Sequence, residues 1–224
     1  MPPSLSHITT WIFDLDNTLY PSSCDLFALI DAKMGHFIQK LLGVDAVEAR
    51  RIQKGHFHKH GTTLSGLCRE HDINPKDFLD FVHDIPLDRV RPDPALKAAL
   101  LALPGRRLVF TNGDAAYANR VLDALDLSDC FECVFDIYAA DLVPKPDPRP
   151  YAALCTHLAV DPVRAIFVED MVRNLKPAKD LGMATLWINN GSEQAEAIAC
   201  PSFVDHETHA LSHWLIHMME RKHA

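Results

Sequence analysis

The chain has 224 residues, of which 48% are hydrophobic, so it can bury the core of one large or two small domains. Its formal net charge of −8 argues against a general affinity for nucleic acid or for an anionic membrane surface. The first residues lack the features of a targeting peptide, and no apolar run approaches the ~20 residues that cross a bilayer, so we expect a cytoplasmic protein.

The first predicted strand is a short apolar run, Ile8 to Phe13, that leads directly into two acidic residues. Residues two apart in an extended chain point to the same side, so Asp14 and Asp16 would share one site while Leu15 points into the core. Two carboxylates this close are stabilised by a cation between them. Because an all-oxygen site suits a hard divalent cation, we expect Mg²⁺.

Residues 21–91 contain no convincing strand and are predicted to be helical throughout. Apolar residues recur at three- and four-residue spacing in the first part, and Gly43 is a typical helix end. A proline after Asn74 is a typical helix start. Four helices are predicted, over residues 26–42, 46–58, 63–71 and 75–83.

Two further apolar runs predict strands that end in polar residues. Residues 107–111 lead into Asn112 and Gly113, and residues 165–168 lead into Glu169 and Asp170. Helices are predicted over residues 93–103, 115–125, 150–158 and 172–181, with a last core strand over 184–188 and, after Pro201, a short strand or loop and a terminal helix. This alternation predicts an open parallel α/β sheet, in which ligands bind at the carboxyl ends of the strands.

Lys145 lies between Pro144 and Pro146, which restrict the backbone and indicate a fixed lysine rather than a mobile surface amine. Taken singly, each polar residue also has a structural explanation, because an aspartate after a strand often caps a turn and a lysine beside proline is often merely exposed. Their ordered arrangement after successive strands favours one shared site instead.

The four polar clusters, in this order, resemble the motifs of the haloacid dehalogenase superfamily, whose members are mostly magnesium-dependent phosphatases. The clusters are Asp14 to Pro21 (DLDNTLYP), Thr111-Asn112-Gly113, Lys145 within VPKPDP, and Glu169-Asp170 with Asn174. The resemblance covers roughly residues 8 to 191. It implies a Rossmann-like core domain formed by residues 1–20 and 92–224, with a four-helix cap domain, residues 21–91, inserted between the first two motifs.

The resemblance also implies roles for these residues. Asp14 would attack phosphorus to form an aspartyl-phosphate, and Asp16 would protonate the leaving oxygen and later deprotonate water. Asp14, Asp170 and the Asp16 carbonyl would bind the metal, with Glu169 binding it directly or through water. Thr111 and Asn112 would hold phosphoryl oxygens and Lys145 would balance their charge. Asn174 stands where the family often has aspartate, and would orient Lys145 or the groups around the metal.

Three stretches resemble the pyrimidine 5′-nucleotidase subgroup more closely: residues 14–21, 60–67 and 83–96. The resemblance implies UMP or CMP as the substrate. Thr62 and Thr63, near glycines, would form the cap's substrate-facing turn. The expected partner is thus a small phosphorylated metabolite, with no nucleic acid or membrane, and the protein would be a monomer or homodimer.

Several alternatives stay open at this stage. Related phosphatases act on sugar phosphates or pyridoxal phosphate, and a phosphomutase would share all four motifs but return the phosphoryl group to its product. A dehalogenase would need neither Asp16 as acid and base nor the metal-binding acids. A noncatalytic binding protein on the same scaffold is the remaining class.

Histidines and cysteines supply two further patterns. His56, His58 and His60 alternate, which suits zinc, copper or nickel, although an ordinary helix end is favoured; one of them could also face the substrate. His209, His213 and His217 are four residues apart, and the solvated face of the last helix is favoured over a metal site. Six scattered cysteines, including the Cys130–Cys133 pair, are expected to be reduced core thiols.

Overall fold

A parallel β-sheet organises the protein. The computed structural model describes residues 5–191 and 200–220, and within these the sheet has six strands: β1 (Thr10–Phe13), β2 (Arg106–Phe110), β3 (Cys133–Phe135), β4 (Ala165–Glu169), β5 (Ala184–Ile188) and β6 (His206–Thr208). Their order is β3-β2-β1-β4-β5-β6, and every neighbouring pair is parallel. The predicted α/β fold is confirmed.

Strand β1 lies in the middle of the sheet because later strands are added on both of its sides. Thr10 pairs with Arg106 of β2 and with Ala165 of β4, so the three strands end at similar heights. All four residues of β1 are buried, which agrees with their apolar and β-branched character. The strand order reverses at β1, where sheets of this kind bind ligands.

Helices cover both faces of the sheet. Successive side chains of a strand point to opposite faces; Trp11 and Phe13 belong to one apolar cluster and Ile12 to another. The first cluster also takes in side chains of α5 (Pro94–Ala102), α6 (Ala115–Ala124) and α9 (Leu211–Glu220), and the second takes in those of α7 (Pro148–His157) and α8 (Val172–Asp180). The result is a three-layered core.

The insertion between β1 and β2 contains the four predicted helices: α1 (Leu26–Leu42), α2 (Ala46–His60), α3 (Thr63–His71) and α4 (Pro75–His83). Local signals explain their ends, since Asp45 and Thr62 accept hydrogen bonds from the first turns of α2 and α3. Helix α2 continues to His60, two residues past its predicted end, because the chain first turns at Gly61, where φ is +85°. The apolar faces of these helices join the cluster that contains Trp11.

Strand β3 and the start of the last helix differ from the prediction. Strand β3 was not predicted, because a run of three residues is too short to show a period; it forms along the free edge of β2. His209 does not lie on the last helix as expected, because α9 begins only at Leu211. All six cysteines are free, as predicted, and Cys130 is buried. The prediction that all six are core thiols is wrong for Cys200, which is exposed, and the other four are half-buried. Within the described ranges, no helix combines the length and apolar character needed to cross a bilayer.

Candidate active site

Polar side chains from several strand ends meet at a cavity of about 410 Å³. They converge because the carboxyl ends of adjacent parallel strands lie at the same edge of the sheet. The residues to which the sequence assigned a role in catalysis, in metal binding or in substrate binding, together with Asn174, all line this cavity: Asp14, Asp16, Thr62, Thr63, Thr111, Asn112, Lys145, Glu169, Asp170 and Asn174.

Lys145 is buried, with 1% of its surface exposed, and its ammonium is fully hydrogen-bonded. Nζ donates to Asp14 Oδ1 at 2.6 Å, to Glu169 Oε2 at 2.8 Å and to the Phe110 carbonyl at 2.9 Å. Burial by itself lowers the pKa of Lys145, but the charges of Asp14 and Glu169 raise it above its usual range. Lys145 is therefore a fixed positive charge, as the flanking prolines predicted.

Asp14 is buried directly after β1. Its main-chain N–H donates to the Val168 carbonyl at 2.9 Å, which ties it to β4, and its Oδ2 accepts from Thr18 Oγ1 at 3.3 Å. Burial, together with the negative charge of Glu169, outweighs Lys145 and raises the pKa of Asp14 to about 8. A cation at the site would favour the ionised carboxylate.

Glu169 is held by donors of this chain on both of its oxygens. Oε2 accepts from Lys145 and, at 3.1 Å, from Asn174 Nδ2, while Oε1 accepts from the Met171 N–H at 3.1 Å. Asn174 therefore acts on Glu169, which in turn holds Lys145. The amide oxygen of Asn174, Oδ1, is buried and has no hydrogen-bond partner among the residues that the structure describes.

Three buried carboxylates could hold a metal ion. Asp14, Glu169 and Asp170 each offer an oxygen, and these three atoms lie within 4.8 Å of one another. Burial, with the charges of Glu169 and Asp14, raises the pKa of Asp170 well above its ordinary value. Lys145 brings one positive charge to three acids, so the oxygen-only donor set fits a hard divalent cation such as Mg²⁺.

Two phenols hold the carboxylate of Asp16. Tyr20 Oη donates to Asp16 Oδ1 at 2.6 Å and Tyr117 Oη donates to the same oxygen at 2.7 Å. Tyr117 is in turn stacked on the His83 ring, with centroids 4.2 Å apart, and His83 Nδ1 lies 2.5 Å from Asp114 Oδ2. Asp16 is thus held by Tyr20, which lies four residues after it, and by Tyr117 of helix α6.

Thr111 and Asn112 follow β2 and have different surroundings. Thr111 is buried, and its Oγ1 accepts from the Gly113 N–H at 3.0 Å, which leaves the hydroxyl proton available. Asn112 Oδ1 accepts from the Lys145 N–H at 2.8 Å and Nδ2 donates to the Lys145 carbonyl at 3.3 Å. The Asn112 side chain therefore holds the backbone of Lys145; its binding of substrate stays a prediction.

Comparison of the sequence with models of protein families gives a match over residues 8–182, to the family described as haloacid dehalogenase-like hydrolase. The chain belongs to this hydrolase family. The matched residues include all four motifs and the helical insertion.

Curated relatives of this haloacid dehalogenase-like hydrolase include phosphatases. Phosphate metabolism protein 8 of Saccharomyces cerevisiae is 28% identical over 77% of this chain, and N-acetylmuramic acid 6-phosphate phosphatase of Pseudomonas aeruginosa is 25% identical over 80%. The chain spans 59% of the yeast protein's length and 81% of the Pseudomonas protein's.

A solved structure, the HAD phosphatase from Thermococcus onnurineus, is similar to this hydrolase with a TM-score of 0.61 and 18% identity, covering 96% of this chain and 98% of that one. The likeness shows that the two share a fold.

Sequence reasoning missed several residues of the site in this hydrolase. Tyr20 is four residues from Asp16, a local spacing that could have drawn attention to it, but Tyr117 and His83 carry no such signal. Arg173 was also missed: it lines the cavity, lies 4.2 Å from the centre of the Phe57 ring and donates to the Gly61 carbonyl at 3.2 Å.

Proposed function

We propose that the protein is a magnesium-dependent phosphomonoester hydrolase that acts through an aspartyl-phosphate on Asp14. The observation that carries this proposal is the cavity where Asp14 contacts the buried Lys145 while Asp16, two residues on, is held by two phenols. A nucleophile, an electrostatic partner and an acid–base group are the parts that phosphoryl transfer needs.

In the first step, a carboxylate oxygen of Asp14 attacks phosphorus in line with the ester oxygen. The new bond joins phosphorus to Asp14, the bond to the ester oxygen breaks, and Asp16 donates its proton to that leaving oxygen. Tyr20 and Tyr117 orient Asp16 for this transfer. The products are an alcohol, an aspartyl-phosphate and an ionised Asp16.

In the second step, the Asp16 carboxylate takes a proton from water. The water oxygen attacks phosphorus, the bond to Asp14 breaks, and inorganic phosphate leaves with Asp14 and Asp16 restored. Lys145 and the Thr111 hydroxyl stabilise the charge on the phosphoryl oxygens, with Asn112 fixing Lys145 and contributing to the same oxygens.

Asp14 and Asp170, the Asp16 carbonyl, and Glu169 directly or through water would hold Mg²⁺. When bound, this ion would neutralise negative charge on the phosphoryl group. The acids argue against a dehalogenase, in which neither an acid–base Asp16 nor a metal would be required.

For the substrate, we propose a pyrimidine nucleoside 5′-monophosphate, UMP or CMP. Residues 21–91 would act as the cap domain over a core of residues 1–20 and 92–224, with Thr62 and Thr63 facing the substrate. The role of Thr62 and Thr63 is supported by their position in the lining of the cavity that contains Asp14. The volume of this cavity is in the usual range for sites that bind small molecules. Metabolites of this kind are found in the cytoplasm, where we place the protein.

The second candidate is a phosphatase of another small metabolite, such as a sugar phosphate or pyridoxal phosphate. Arg173 favours it: the guanidinium lines the cavity, and its buried Nε has no hydrogen-bond partner in the described part of the chain. An added anionic or acceptor group on the substrate would satisfy that donor. The name of the Pseudomonas relative likewise specifies a phosphorylated sugar acid.

The test is phosphate release from UMP, CMP, AMP, GMP, sugar phosphates and pyridoxal phosphate, with Mg²⁺ and with EDTA. A magnesium-dependent preference for UMP or CMP is expected, and preference for another member would replace the substrate but keep the phosphatase. Product analysis separates a phosphomutase, which would return the phosphoryl group to its product. Silence across the panel would favour a dehalogenase or a noncatalytic binding protein.

The mechanism is tested with Asp14→Asn, which should lower phosphate release at least ~10³-fold because the nucleophile is lost. Asp136→Asn is the matched control. Asp136 is also buried, but its oxygens accept from the Ala115 and Ala139 N–H groups away from the cavity. Full activity in Asp14→Asn would exclude the aspartyl-phosphate.

A further inference from the structure

A second cluster of metal-ligating side chains lies in the helical insertion, outside the active-site cavity. It comprises His56 and His60 of α2 and Glu70 of α3. One ligand atom from each lies within 4.8 Å of the other two. His60 Nε2 and Glu70 Oε1 are already 3.1 Å apart.

The unusual member is His56. Only 5% of its surface is exposed, and its Nε2 is buried with no hydrogen-bond partner in the chain as far as it is described. A buried polar nitrogen without a partner costs free energy, so such atoms are rare and call for an explanation. A metal bond to Nε2 would provide one.

The helices present these side chains to each other. His56 and His60 are four residues apart and therefore lie on the same face of α2. Helix α3 packs closely on the His56 ring at Gly66, where an added Cβ would clash with His56 Cβ, Cγ and Nδ1. The ring is thus held in place, whereas His58, which lies on another face of α2, is exposed.

We propose that His56, His60 and Glu70 form a binding site for a transition-metal ion, with Zn²⁺ the best match. Two imidazoles and one carboxylate are a common zinc donor set, and a fourth position would be left for water. This donor set differs from the all-carboxylate group around Asp14, which suits a harder ion. The two sites would therefore select different metals.

Lys59 pairs with one of the three side chains of this site. Lys59 Nζ lies 3.0 Å from Glu70 Oε1, and 70% of the Lys59 side chain is exposed. An exposed ion pair of this kind contributes little free energy, so Lys59 can turn into solvent when a metal binds.

Metal binding would cross-link α2 to α3 across the turn that joins them. That turn contains Gly61 and Thr62, and Thr62 lines the active-site cavity. The site would therefore stabilise the segment that faces the substrate without adding a ligand to the reacting groups.

The test is calorimetric titration of the full chain with Zn²⁺ while saturating Mg²⁺ occupies the carboxylate site, together with the visible absorption of the Co²⁺ form. One Zn²⁺ per chain is expected, with the intense Co²⁺ bands of a tetrahedral site and a raised melting temperature. His60→Ala and Glu70→Gln should each weaken binding at least ~10-fold, since even partners one step from a metal cost that much. His58→Ala is the matched control and should bind normally.

Three results would overturn the proposal. The first is the absence of saturable Zn²⁺ binding. The second is an equal loss of Zn²⁺ affinity in His58→Ala and His60→Ala. The third is Zn²⁺ binding that disappears in Asp170→Asn but persists in Glu70→Gln, which would place the ion among the carboxylates. His60 and Glu70 are both partly exposed, so replacing them does not open the core. A folding failure therefore does not obscure the outcome.

Discussion

The Lys145 ammonium lies 2.6 Å from Asp14 Oδ1, although 131 residues separate the two in the chain. Asp14 ends the central strand, and Lys145 approaches it from the loop before α7. The same ammonium holds Glu169, so two buried acids depend on one buried cation.

Replacing this cation should affect both stability and activity. In Lys145→Met the buried acids Asp14 and Glu169 lose their cation, which above the Asp14 pKa of about 8 should lower the free energy of unfolding by about 3–5 kcal/mol. Urea unfolding measures this loss, and phosphate release should fall at least ~100-fold. Adding Glu169→Gln should recover part of the stability and none of the activity; unchanged stability in the single variant would contradict the role of Lys145.

The Tyr117 hydroxyl should affect kcat most for substrates whose leaving group must be protonated by Asp16. Tyr117→Phe removes one hydrogen bond to Asp16 and should lower kcat about 10-fold for alkyl phosphates. It should change kcat less than ~2-fold for p-nitrophenyl phosphate, whose leaving group needs little protonation. Tyr151→Phe is the control, because that buried hydroxyl donates to the Asn174 carbonyl instead. Equal losses with both substrates would argue against an acid role for Asp16.

The pKa of Asp14 predicts how Mg²⁺ stabilises the protein. Its pKa is about 8 in the metal-free fold against an ordinary 3.8, so the folded state binds more protons than the unfolded state between these values. Metal-free stability should therefore fall as pH rises from about 4 to about 8. Because Mg²⁺ needs the ionised carboxylate, its stabilising effect should be larger near pH 8 than near pH 6.

Thermal unfolding with and without Mg²⁺ at these two pH values measures the effect. The amide introduced by Asp14→Asn cannot ionise, so this variant should show a smaller pH dependence; the part that comes from the raised pKa of Asp170 should remain. A larger Mg²⁺ effect at the lower pH would contradict the assignment of Asp14 as a ligand.

Two glycines of the helical insertion should respond oppositely to alanine. Gly55 in α2 has open space where a Cβ would lie, so Gly55→Ala should raise the free energy of unfolding by about 0.5–1 kcal/mol. Gly66→Ala should lower it by about 1–3 kcal/mol, because the Cβ would meet the His56 ring. Urea unfolding compares the two, and similar effects would show that α2 and α3 do not pack closely.

Much of the fold follows from local signals in the sequence. The predicted ranges of α1, α3, α4 and β5 agree with the structure, because capping residues and apolar periodicity act over a few neighbours. The three-residue strand β3 escaped prediction, since it depends on the exposed edge of β2. The convergence of Asp14, Thr111 and Asp170 was also predictable, because parallel strands share one carboxyl edge.

The partners of each site residue could not be read from the chain alone. Nothing near Asp16 in sequence points to Tyr117, which lies 101 residues away, and nothing near Glu169 points to Lys145 as its partner. The paired histidines of α2 are visible in the sequence, but their approach to Glu70 depends on how closely α3 packs at Gly66. Hydrogen bonds and metal bonds form only over about 2–3 Å, so separations set by helix and sheet packing choose the partners.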